Sequence, residues 1–260
     1  MNHQSITTEI IPAKLREIEQ REHVHILHCV ESGSRAWGFA SPDSDYDVRF
    51  IYARTPEYYL RLEGVRDVIE WQLDDTLDIN GWDIQKAFRL LHKSNPTLFE
   101  WHNSPIVYRT TSEWARLSPL ISGFFQPRTG LYHYLNTAKN NYRQYLLGDP
   151  VHLKKYFYVL RPVLACRWIL DKQTPPPVLF SDLADACLDA SLMDAVHTLL
   201  RMKMETPELG FGPRIPALND YLDASIAEIE RIVAAMPDEC TPSWTELNHS
   251  FLQIIGLNKF

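Results

Sequence analysis

The stretch from Glu31 to Arg49, ESGSRAWGFASPDSDYDVR, constrains this chain more than any other segment. It sets a Gly33-Ser34 turn ahead of Asp45, with ten residues between Ser34 and Asp45, and Asp47 two residues further on. Side chains along a strand alternate with period two, so Asp45 and Asp47 are expected to project from one face. Two carboxylates on one sheet edge make an oxygen-rich pocket of the kind that suits Mg²⁺. A Gly-Ser turn upstream can offer backbone N–H groups and a hydroxyl to phosphate oxygens. The segment reads as strand, turn and strand around a site for a nucleotide.

Hydrophobic periodicity organises the rest. A helix is predicted over 12–22, then strands over 23–30 and 47–52, with a short helix over 35–40 between them. In the second strand Val48, Phe50 and Tyr52 should face away from Asp47. A short helical insert over 56–60 and strands over 68–73 and 77–80 follow. A helix over 83–93 comes next, with Asp83 at its N-terminus. Asn95 can cap a further helix whose first position is Pro96. From 111 onward the pattern is nearly all helical, over 112–125, 128–147, 154–170, 191–204, 216–235 and 244–257. Pro162 predicts a kink or break inside one of these, and 174–177 a stiff connector. The expected fold is α+β: a mixed-sheet domain over 1–110 with flanking helices, then an all-helical domain over 111–260.

Bulk properties bound the function. At 260 residues, 45% hydrophobic and 23% charged, the chain has the composition of an ordinary globular protein. Without a membrane-length apolar run or a signal-like N-terminus, a cytoplasmic location and no membrane partner are expected. The four cysteines, at 29, 166, 187 and 240, show no metal-ligand spacing and read as isolated buried thiols. A net charge of −7 argues against coating nucleic acid through bulk electrostatics. Between Arg128 and Lys172, however, eight Lys or Arg face only Asp149 and Asp171. Tyrosines and amides are interleaved with those cations, a mixture that can hold phosphates, a base or an RNA backbone. Lys139, Lys154 and Lys155 are its best candidates. Trp37 and Phe39 read as residues that pack the turn onto the sheet.

The spacing of the Gly-Ser turn and the Ser44-Asp45-Tyr46-Asp47-Val48 run resembles the DNA polymerase β-type nucleotidyltransferase superfamily. Downstream, DINGWDIQK (78–86), Leu90-Leu91 and SNPTLFEW (94–101) look like its bacterial and phage subgroup named for an RNA repair pathway. The likeness is strong over about 23–108. It continues with less specific motifs through Lys154-Lys155-Tyr156 and Leu160-Arg161-Pro162 to Arg167-Trp168. The resemblance implies Asp45 and Asp47 as metal ligands, completed by a third carboxylate. Asp78, Asp83, Asp75, Asp74 and Glu70 compete for that place, and Asp78 is chosen because it aligns with the subgroup's run. Gly33, Ser34 and Arg35 would hold the β- and γ-phosphates.

The activity implied is transfer of a nucleoside monophosphate from ATP or another NTP to an acceptor hydroxyl, with release of pyrophosphate. Two Mg²⁺ or Mn²⁺ ions roughly 3.5–4 Å apart would clamp the entering and leaving oxygens. The acceptor expected from the resemblance is RNA, at a tRNA-like or damaged end. A protein hydroxyl, as in toxin–antitoxin pairs, and a small-molecule hydroxyl, as in antibiotic-modifying relatives, are alternatives. A non-catalytic nucleotide-sensing or partner-binding module is the competing class.

Overall fold

The computed structural model describes residues 3–205 and 210–257. Helix α1 (Ile11–Glu22) buries Ile11, Leu15 and Ile18 along one stripe and stops at His23, which adopts a left-handed φ of 51°. Helical turns already start at His3, ahead of the predicted 12–22 helix. The chain then enters a five-stranded sheet built from β1 (His25–Glu31), β2 (Tyr46–Ala53), β3 (Val68–Leu73), β4 (Leu77–Asp83) and β5 (Val107–Thr110). Their order is β3-β4-β2-β1-β5. Only β2 and β4 run parallel; the other three pairings are antiparallel, so the sheet is mixed, as expected.

Period-two alternation divides the sheet into two buried faces. Val48, Phe50 and Tyr52 pack with Ile26, Cys29 and Ile79 beneath α1. Leu27, Val30, Ile51 and Ala53 face the other way, against α2 (Ile84–His92) and α3 (Pro96–His102). Both predicted caps are present: Asp83 accepts the Gln85 N–H at 2.8 Å and Asn95 accepts the Thr97 N–H at 3.0 Å. Strand β5 was not foreseen. Its four residues carry no clear alternation, and pairing to Cys29 and Val30 of β1 holds it in place.

The helical part contains α4 (Pro127–Tyr145), α5 (Phe157–Lys172), α6 (Phe180–Cys187), α7 (Met193–Glu205), α8 (Pro216–Ala235) and α9 (Thr245–Ile254). Three expectations need correction. Helix α5 runs through Pro162 without a break: Val159, Leu160, Val163 and Leu164 are all buried around it, and packing offsets the lost backbone bond. The helix predicted over 112–125 is two short turns, Ser112–Ala115 and Ser118–Gly123, because Pro119 opens a new one. Cys29 and Cys166 are buried thiols, but Cys240 is exposed.

Trp114, Leu117, Ile121 and Phe124, with Leu247 of α9, complete the layer over α2 and α3. Helices α4 to α8 enclose their own core, into which Phe39 of the N-terminal half inserts. Its ring lies 5.1 Å from Phe157 and 5.6 Å from Phe180. Among the described residues no helix is long and apolar enough to cross a membrane.

Candidate active site

The site begins where β1 ends. Gly33 has a φ of +59°, and a Cβ placed on it would lie 2.0 Å from Asp47 Oδ2. Only glycine permits both that backbone and the approach of the carboxylate. The Asp47 backbone is held on both sides: its carbonyl accepts the Ser32 N–H at 2.8 Å, and its N–H donates to Glu31 Oε1 at 2.7 Å. Glu31 is fully buried and its other oxygen accepts the Tyr108 hydroxyl. Burial pushes the Glu31 carboxyl up to about 7, against the pull of those two hydrogen bonds. The unforeseen strand β5 thus brings in the residue that anchors Glu31.

Asp47 and Asp78 are direct partners across the parallel β2–β4 pairing. Arg49, on the same face of β2 as Asp47, lies between them. Its Nη2 is 2.8 Å from Asp47 Oδ1 and 2.5 Å from Asp78 Oδ2, and its Nη1 donates to the Asp78 carbonyl at 2.7 Å. Asp45 is exposed, one residue ahead of the strand. Burial is the main cause that raises the Asp47 pKa; the charges of Asp45 and Asp78 add to it, while Arg49 and Arg35 oppose it. The three carboxylates are therefore electrostatic neighbours. Among the described residues no three His, Cys, Asp or Glu gather closely enough to hold a metal ion. The rival acids have other partners: Asp83 caps α2 and accepts the Tyr59 hydroxyl at 2.9 Å, and Asp74 caps its own turn at Thr76 and Leu77. Glu70 is exposed on edge strand β3. Asp75 lines the cavity described next.

A cavity of about 270 Å³ opens beside the turn, walled by Ser34, Ser44, Asp45, Lys154, Tyr158 and Lys203. Burial and the charges of Asp47 and Asp45 raise the pKa of Tyr158, which ties this residue of α5 to the acidic pair. Lys154 stands in the 3₁₀ turn Leu153–Tyr156. Lys203 comes from α7, is almost wholly buried, and donates from Nζ to the Phe39 carbonyl at 2.9 Å. Burial and then Lys154 lower the Lys203 pKa, with Asp43 opposing.

Of the remaining predicted binders, Arg35 folds back onto its own loop. Its Nε donates to the Asp45 carbonyl at 2.9 Å, its Nη2 to the Ser44 carbonyl at 2.5 Å, and its guanidinium lies 3.9 Å from the Tyr46 ring centre. It also borders an adjoining open groove of about 760 Å³. Lys155 sits 4.4 and 4.5 Å from the rings of Tyr145 and Tyr158. Lys139 is paired with Glu230 of α8 and does not line the cavity. Two site residues were not anticipated. Lys203 had a signal, since it lies on the buried stripe Val196, Leu199, Lys203 of α7, where a lysine is out of place. Arg49 had one too: it is two residues after Asp47, hence on the same face.

The sequence pattern of the RNA repair pathway DNA polymerase beta family matches residues 7–253. The chain belongs to that family. The Bacillus subtilis (strain 168) "Uncharacterized protein YcgL" is 44% identical over 246 residues, which cover 93% of this chain and 94% of that protein. A solved structure, of a nucleotidyltransferase-like protein from Exiguobacterium sibiricum 255-15, overlaps 93% of this chain and 78% of its own at 12% identity. Its TM-score is 0.32, a remote likeness. In this polymerase β-like family member, the Gly33 turn and the acids of β2 and β4 lie at one end of the sheet, with α5 and α7 bordering the cavity beside them.

Proposed function

We propose that this protein is a nucleotidyltransferase that moves a nucleoside monophosphate from an NTP, with ATP as the expected donor, to a hydroxyl at an RNA end. The observation that carries the reading is the seating of the Asp47 carboxylate in the space left by Gly33, beside a cavity lined by Asp45, Ser34, Lys154 and Lys203. Ammonium groups and hydroxyls in that cavity suit a triphosphate. The acids at its rim suit the place where the α-phosphate would be attacked. The transfer forms a bond from the acceptor oxygen to the α-phosphorus and breaks the bond from that phosphorus to pyrophosphate. An RNA acceptor is favoured by the designation of the family.

The donor set is all oxygen, the kind a hard divalent cation takes, but the acids are not gathered around a common point, and Arg49 occupies Asp47 and Asp78. Asp45, Asp47 and Asp78 would hold Mg²⁺, or Mn²⁺ in its place, only by drawing together and giving up Arg49. When bound, the ion would neutralise phosphate charge and make the acceptor hydroxyl more acidic. The chain's own part is positional. Glu31 and Ser32 fix the Asp47 backbone, and Arg35 ties down the loop that carries Ser44 and Asp45. Arg49 neutralises Asp47 and Asp78, so that two half-buried carboxylates can lie on adjacent strands.

The test is incubation of the protein with each labelled NTP, Mg²⁺ or Mn²⁺, and total cellular RNA or protein. We expect label in the RNA fraction and pyrophosphate release. Asp47→Asn should lower transfer at least about 100-fold while the Tm stays within a few degrees of the wild type. Full activity in that variant, or label found only in protein, would overturn the assignment as stated.

A further inference from the structure

Asp47 and Asp78 already share a cation, the guanidinium of Arg49. Its Nη2 meets Asp47 Oδ1 at 2.8 Å and Asp78 Oδ2 at 2.5 Å. The guanidinium is also anchored independently of the acids, since Nη1 donates to the Asp78 carbonyl at 2.7 Å and to the Val48 carbonyl at 3.2 Å. The Arg49 side chain is 13% exposed and each carboxylate 23%, so water screens this contact far less than it screens a surface ion pair. The second oxygen of Asp47 is engaged as well, because Oδ2 is the atom that fills the space of a Cβ at Gly33. Of the three acids, Asp45 alone walls the cavity of about 270 Å³.

Charge decides what this contact does. Carboxylates attract a divalent cation through their negative charge, and the guanidinium cancels part of that charge at contact distance. A guanidinium keeps its proton at any working pH, so Arg49 can give up the acids only by moving. A cation that coordinates Asp47 and Asp78 takes oxygens that Arg49 holds, and lies beside like charge until Arg49 has moved. A triphosphate changes that balance. Its oxygens bring the negative charge that Arg49 removes, and they are ligands of the kind a hard cation takes. The neighbouring cavity, with Lys154, Lys203 and Ser34 in its walls, is where such oxygens are expected.

We infer that Arg49 is a resident counter-ion that competes with the divalent cation for Asp47 and Asp78, so that the cation is taken up together with the triphosphate and not ahead of it. This rests on the nucleotidyltransferase reading above and adds the order in which its site fills. Arg49 is a positioning residue: it holds two half-buried acids in register on adjacent strands until a stronger charge replaces it.

The experiment has two arms on the full chain, for the wild type and Arg49→Gln. The first is binding of Mn²⁺ alone, read from the electron paramagnetic resonance signal of the free ion. The second is calorimetric binding of α,β-methylene-ATP, whose α–β linkage resists cleavage, in Mg²⁺ and in a chelator. We expect Arg49→Gln to bind Mn²⁺ alone at least about tenfold tighter than the wild type, as a full charge is withdrawn at contact distance. The wild type should bind the nucleotide analogue at least about tenfold tighter in Mg²⁺ than in chelator. Should Arg49→Gln fail to fold, the wild type gives the same answer through the guanidinium ¹⁵N resonances of Arg49. These should stay unchanged in Mg²⁺ alone and shift when Mg²⁺ and the analogue are added together. Mn²⁺ affinity no higher in Arg49→Gln, or Arg49 resonances that Mg²⁺ with analogue leaves in place, would overturn the counter-ion and spare the transferase reading. No Mg²⁺-dependent binding of the analogue would overturn both.

Discussion

At the scale of single residues the site depends on one missing methyl group. Asp47 can lie against the turn only because Gly33 has no Cβ, and its positive φ would cost any other residue about 1 kcal/mol or more before a clash is counted. Gly33→Ala should therefore lower the Tm and weaken Mg²⁺-dependent ATP binding at least about tenfold, measured by calorimetry on the folded variant. Unchanged affinity would show that the carboxylate tolerates displacement. The approach of Asp47 to Gly33 was legible in the sequence because their relation is local, a turn and a fixed spacer; Asp45 lies exposed, one residue ahead of β2. The use of Arg49 as the cation between Asp47 and Asp78 was not, because the register that makes those acids neighbours is set by a parallel pairing between distant segments. Lys139 shows the converse. It has the right charge in a basic stretch, yet its ammonium is paired with Glu230, a contact that spacing along the chain cannot reveal.

At the scale of elements the site is aimed by caps and strand ends. The junction between α2 and α3 turns on Asn95, whose side chain accepts the Thr97 N–H and lets Pro96 start α3. That helix carries Glu100 to the pocket beside Trp37 and Tyr158, and Trp101 to the ring of Trp82, at a centroid distance of 3.9 Å. Asn95→Ala should cost about 1 kcal/mol, read as a shift of the urea midpoint without a change in slope. Helix ends with such caps were foreseen almost to the residue, since capping chemistry is local. Strand β5 and helix α6 were not. Both are short, and β5 in particular is held by the neighbour it pairs with.

At the scale of the whole molecule, burial of ionisable groups sets the response to acid. His28 stacks on Trp114 at 5.1 Å, bonds the Trp101 carbonyl at 3.3 Å, and is pushed by burial down to about 4. An unfolded histidine titrates near 6.5, so between those two values the unfolded chain takes up a proton that the folded one declines. Stability from this residue is present above the upper value and is lost as pH falls through the window, by at most about 3 kcal/mol. Glu31, raised to about 7, contributes with the opposite sign, so the comparison must be made against wild type. Relative to wild type, His28→Phe should move the change in urea midpoint from pH 7 to pH 4.5 toward greater stability at the lower pH. Part of the acid destabilisation will remain, because burial lowers His102 as well. A change equal to that of wild type would mean that other groups govern the acid response.

Phe39, held in the helical core with its carbonyl on Lys203, has a consequence for how the protein can be cut or recombined. A fragment ending near residue 110 would carry a bare aromatic ring and an unanswered backbone oxygen a few residues from its reactive turn. The acid-bearing sheet is thus no transplantable cassette: it travels with its helices, and any redesign must edit the two together.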